Sequence, residues 1–119
     1  MTDRPVWIPG PEHPITIVPT TGRVTVRIEG RLVADTNDAL TLQESNYPAV
    51  QYLPLSDVDQ EVLTDSATTT YCPYKGEATY FDVLGIPDVI WRYREPYDAV
   101  AQIAGRVAFY PDKADISVR

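Results

Sequence analysis

The strongest constraint in this chain is a period-two alternation that comes in short bursts. In "RVTVRI", Val24, Val26 and Ile28 face one way while Arg23, Thr25 and Arg27 face the other. Glu29-Gly30-Arg31 turns the chain, and "RLVAD" returns as the second strand of a hairpin. "ALTLQE" and "AVQYLP" read as two more strands. "ATTTYC", "EATYFDVL", "DVIWRY", "GRVAFY" and "DISV" follow, rich in β-branched or aromatic residues. Two segments break the pattern. In "SDVDQEVL", Ser56 is placed to cap a single helical turn, with Asp57 and Asp59 favoured by its dipole. In "PYDAVAQIAG", Val100 and Ile103 have the spacing of a two-turn helix ending at Gly105. About nine short strands with two helical scraps predict an all-β fold of short antiparallel strands.

Five of the eleven prolines fall in residues 1–19. Proline fixes φ and lacks an amide hydrogen, so this stretch is expected to be an extended arm, neither helix nor central strand. Trp7 and Ile8 suit an arm lying against the protein rather than free of it. Residues 20–119 are then expected to form one domain, with no linker or tandem repeat inside it.

The formal net charge is −7, with 4 basic and 8 acidic side chains in the first sixty residues and 6 and 9 in the rest. Acidity spread so evenly leaves no basic face for nucleic acid and opposes binding to an anionic membrane. A local pocket for a small anion stays open. The single cysteine, Cys72, cannot form an intramolecular disulfide. "MTDRPVWIPGPEHPITIVP" lacks the continuous apolar core of a signal peptide. No run approaches the ~20 apolar residues of a membrane span, so a cytoplasmic location is expected.

"TTTYCPYKGEATYF" gathers the chemistry: Cys72, and Lys75, one of only two lysines against eight arginines. Between flanking strands, Pro73-Tyr74-Lys75-Gly76 reads as a four-residue hairpin loop. Pro73 sets φ at its start and Gly76 takes the left-handed conformation at its end. The turn has no need of cysteine, tyrosine or lysine. Cys72 is either a small buried hydrophobe or a nucleophile, and a nucleophile wants a lowered pKa and a base. Lys75 supplies positive charge nearby, whereas the sole histidine, His13, belongs to the arm. Lys75 itself is either an exposed turn residue or a compact charge set where a ligand approaches the backbone.

Taken together, "GPEHPI", "GRLVADTNDALTLQE", "YPAVQYLPLSDVD", "TTTYCPYKGEATYFDV" and "VIWRYREPYDAVAQIAGRVAFYPDK" resemble the bacterial domain-of-unknown-function family 427. The resemblance runs in order from about residue 9 to residue 113. It implies a β-tent-like all-β domain, in which short antiparallel sheets lean together over a cleft, and it attaches no activity. Carried over by motif, the positions it marks are Asp35, Glu44, Tyr52, Asp57, Cys72, Pro73, Lys75, Gly76, Trp91, Tyr93 and Pro96. Relatives commonly place a histidine before "CPYKG", where this chain has Tyr71. "ADISVR" also lacks the acidic ending that the resemblance leads one to expect.

Proteins similar to the β-tent hold zinc through paired CxxC motifs, but one cysteine and one histidine cannot supply a four-ligand structural site. No structural zinc is expected, and no cofactor is named. A nucleotidyltransferase label attached to the family finds no support in motifs. Asp57-Val58-Asp59 has D-x-D spacing but reads as a helical turn on which the carboxylates diverge, and no phosphate-binding glycine loop is present.

Nine of the twelve aromatic residues lie from Tyr71 onward. In "VIWRYRE", alternation puts Val89, Trp91 and Tyr93 on one face and Arg92 and Arg94 on the other. Either these aromatics are core, or they wall a pocket for a planar or phosphorylated molecule with Lys75, Tyr74, Asp35 and Glu44. Three functions follow. The first is a small-molecule binding module with a cleft near "CPYKG". The second is an enzyme using Cys72 or carboxylates such as Glu44. The third is an interaction domain that docks a protein or a second copy of itself.

Overall fold

The computed structural model describes residues 4–119. Among these residues, ten strands form three antiparallel sheets. The first sheet orders β1 (Ile15–Pro19), β4 (Leu40–Glu44) and β5 (Val50–Tyr52) as β1-β4-β5. The second orders β10 (Asp115–Val118), β2 (Val24–Ile28) and β3 (Arg31–Thr36) as β10-β2-β3. The third runs β6 (Leu63–Cys72), β7 (Gly76–Val83), β8 (Ile86–Tyr93) and β9 (Val107–Phe109) in sequence order. The chain is all-β. No helix among the described residues is long and apolar enough to cross a membrane.

The helical scraps are 3-10 turns: Leu55–Asp57, Gln60–Val62 and Asp98–Ile103. Ser56 caps none of them. Pro54 precedes the first, which has no side-chain cap, while the Asp59 carboxylate accepts from the Glu61 amide and so caps the second. Asp59 suits that task because its short acceptor folds back onto its own turn. The third is interrupted at Val100 (φ −127°), so the segment winds as two short pieces and not as one α-helix.

The third sheet carries a core on each face. Cross-strand partners share a face, so Ala78 with Tyr93 and Tyr80 with Trp91 enter one cluster, alongside Leu42, Tyr52, Val100 and Ile103. Phe81 and Ile90 enter the other, against Val24, Val26, Ile28 and Val33 of the second sheet. Val89 departs from the expected face: it packs with Ile90 in that second group, while Trp91 and Tyr93 stay together. It follows Asp88, whose φ of +52° breaks the pleat.

Ile15–Pro19 pairs antiparallel with β4, so the first sheet takes in the last five residues of the stretch read as an arm. The strand is an edge, where Pro19 at its end is tolerated. Leu53 and Val107 exchange two backbone hydrogen bonds of 2.8 Å, and this bridge ties the first sheet to the third.

Candidate functional site

The turn after β6 closes more tightly than a four-residue loop. Gly76 is already paired with Cys72, leaving Pro73, Tyr74 and Lys75 in the turn. The Lys75 amide donates to the Cys72 carbonyl at 3.2 Å, and Gly76 sits at φ +111°. That conformation costs glycine little and any other residue more.

Lys75 is not an exposed turn lysine. It is 7% exposed, one of the few polar residues in the buried set. Its Nζ donates to Glu44 Oε1 at the end of β4, and the Cys72 Sγ lies 3.7 Å from the same nitrogen. The other carboxylate oxygen of Glu44 meets His13 Nε2 at 2.7 Å. Burial pushes the Glu44 carboxyl up, but the hydrogen bonds from Lys75 and His13 outweigh it and hold it below the usual carboxylate range. Ionised, it can only accept, so Nε2 is the donor in that contact.

Sequence reasoning leaves His13 in the arm, and sheet register explains its arrival at Glu44. Ile15 pairs with Glu44, so a residue just before β1 falls beside the end of β4. The imidazole then stacks on Tyr74, with centroids 4.1 Å apart and planes 6° apart. Trp7 meets the other side of the turn, through a 3.0 Å bond from its amide to the Pro73 carbonyl and an edge contact with Tyr74. The arm thus covers the turn. His13 and Tyr74 also line a cleft of about 400 Å³ together with Ile8, Gly10, Pro11 and Glu12.

Behind the thiol lies aromatic core. Cys72, half-buried, packs with Trp91 against the cluster that holds Tyr52 and Tyr93. Trp91 Nε1 donates to the Tyr52 hydroxyl at 3.2 Å. The Tyr52 phenol is pushed well above its ordinary value, by burial first and then by the nearby Glu44 and Cys72; its bond from Trp91 offsets only part of this. Tyr93 is raised too, by burial and then by Tyr52 and Cys72. Both phenols therefore stay neutral, and the Tyr52 hydroxyl serves as an acceptor for Trp91.

Of the residues marked in the sequence, Cys72, Lys75, Glu44 and Tyr74 come together, with Trp91 and Tyr93 behind them. Asp35 does not. It belongs to the second sheet, where it holds Arg23 Nε at 2.6 Å and lines a separate cleft with Arg27, Asp115 and Arg119. Asp57 ends the first 3-10 turn, and Asp59 pairs with Arg31 at 3.1 Å. Among the described residues, no group of three or more His, Cys, Asp and Glu side chains is arranged to hold a metal ion.

The sequence matches the family described as Domain of unknown function (DUF427) over residues 16–119. The chain belongs to that family. No curated protein matches it. The span matched by DUF427 contains Glu44, Tyr52, Cys72, Lys75, Trp91 and Tyr93, and starts after His13. In this DUF427 protein, then, the ion pair and the thiol lie within the family domain, while the residue that closes over them stands just outside the matched span.

Proposed function

We propose that this protein is a small-molecule binding module whose ligand carries an anionic group and a planar body, nucleotides included. The observation that carries the reading is the burial of Lys75. A proline–glycine hairpin needs no charge, and an ion pair taken out of water is weak as a stabilising device compared with apolar packing of the same volume. An ammonium kept there has a use beyond the turn. A ligand carboxylate or phosphate can replace Glu44 on Nζ, and the cleft beside His13 and Tyr74 has the size and the aromatic lining for a planar group. We read the meeting of the first and third sheets as the leaning, β-tent-like arrangement that the family resemblance implies. The reading also assumes a cytoplasmic setting, in which a single thiol stays reduced.

The test is thermal unfolding against nucleotides, sugar phosphates, short carboxylic acids and aromatic acids, with and without Mg²⁺. A ligand at a hundred times its Kd adds about 2.7 kcal/mol. The expected result is a raised midpoint for one compound class, absent in Lys75→Met when each protein is compared with its own unliganded state. No rise across the panel removes the reading and favours a protein partner.

One contact supports a second reading, an enzyme with Cys72 as nucleophile: Lys75 Nζ lies 3.7 Å from Sγ. There, Cys72→Ser abolishes turnover of the compound found in the screen and leaves its binding intact.

A further inference from the structure

We propose that Cys72 and Lys75 form an intramolecular sulfur–nitrogen bond when the thiol meets a peroxide. This stands apart from the ligand reading, since it needs only these two side chains and Glu44. Sγ and Nζ are 3.7 Å apart, across a turn whose own backbone bond joins Cys72 to Lys75. Lys75 is nearly buried, so its amine is held at the sulfur and not free to sweep through solvent. Cys72 is only half-buried, which leaves room for a molecule as small as hydrogen peroxide.

The chemistry proceeds in two balanced steps. The thiol gives up its proton as sulfur attacks peroxide; the O–O bond breaks, one oxygen stays on sulfur as the sulfenic acid, and the other leaves with that proton as water. Sulfur loses two electrons and peroxide gains them. Nζ gives up one ammonium proton, which Glu44, already its acceptor, passes on to solvent. The freed lone pair forms the S–N bond, and the sulfenic hydroxyl leaves with a second Nζ proton as water. Other fates are restricted. A second thiol is absent from the chain, and the next residue is Pro73, which has no amide hydrogen to give to a backbone sulfenamide.

Purified protein is titrated with hydrogen peroxide, then weighed intact and mapped with trypsin after denaturation. The expected product is lighter than the reduced chain by two hydrogens and is no longer cleaved after Lys75. Dithiothreitol restores both the mass and the cleavage. Lys75→Arg keeps a cation for Glu44 but offers no nucleophilic amine, so it gains oxygen at the sulfur instead. The proposal is overturned if the wild-type protein gains oxygens at Cys72 while trypsin still cuts after Lys75. Loss of two hydrogens with that cut retained overturns it as well. The wild-type map alone decides, whether or not the arginine variant folds.

Discussion

Replacing Lys75 by methionine tests whether the ion pair is an electrostatic element or incidental packing. Methionine keeps an unbranched apolar stem and removes the charge. Glu44, 15% exposed in its side chain, is left with His13 as its partner. Removing one member of a buried pair costs about 3–5 kcal/mol, and the remaining imidazole brings this to roughly 2–3 kcal/mol. In a chain of this size each kcal/mol moves the midpoint by about 4 °C, so a drop of roughly 10 °C is expected. The pH dependence then separates charge from packing. In the wild-type protein the Glu44 carboxyl titrates below its ordinary range. Its contribution is therefore fully present above the unfolded value, about 4.3, and is lost as pH falls through the folded value. In the variant, burial disfavours the carboxylate with less to oppose it, so the penalty is greatest at neutral pH and is relieved by acid. Urea unfolding of both proteins across the acid range should show the gap closing towards about pH 3. Adding Glu44→Leu should recover most of the loss, because an apolar pair replaces an orphaned charge. A loss under about 0.5 kcal/mol, or one that does not change with pH, would refute the reasoning.

Other substitutions probe the frame around the site. Gly22→Ala introduces a Cβ 2.3 Å from the Arg119 carbonyl oxygen at φ +113°, a clash with backbone that cannot swing aside. It should cost at least about 2 kcal/mol and speed hydrogen exchange along β10. Gly76→Ala meets nothing nearer than 3.6 Å, so only its φ of +111° opposes it. Denaturant titration should therefore give a smaller loss, about 1–2 kcal/mol. Ile103→Ala empties a fully buried position beneath the site and should cost about 3 kcal/mol by the same measurement.

The strands were legible because most of them bury one face and alternate accordingly. Val24, Val26 and Ile28 are buried while Arg27 is exposed, a contrast visible within five residues. A turn after Cys72 was legible for the same local reason, since proline and glycine dictate its backbone, but its length was not: Gly76 already pairs with Cys72. What escaped sequence reading depends on pairing between distant segments. His13 reaches Glu44 only because β1 pairs with β4, and nothing in "GPEHPI" specifies that partner. Lys75 is buried because the arm covers its turn and the Tyr97 amide, before the third 3-10 turn, bonds its carbonyl at 3.1 Å. Neither contact is written near "CPYKG". Asp35, singled out by motif, lies in another sheet and pairs there with Arg23, just before β2.

The position of the cluster bears on how the proposed ligand would reach a charged group held indoors. Glu44 ends a strand of the first sheet, Cys72 precedes and Lys75 completes a turn of the third, and His13 arrives from the arm. The site is therefore a seam between separate pieces of structure and not a hole within one of them. Ligand sites favour such seams, because a small shift between rigid bodies opens them without unravelling either core. Here the Leu53–Val107 bridge fixes the two sheets to each other. The piece that can yield is the arm, held over the turn by the Trp7 amide, the Tyr74 stack and the Glu44 contact. Lifting it uncovers Tyr74, withdraws His13 from Glu44 and leaves Lys75 with Glu44. That order suits a ligand that stacks first and exchanges its anion for the carboxylate second.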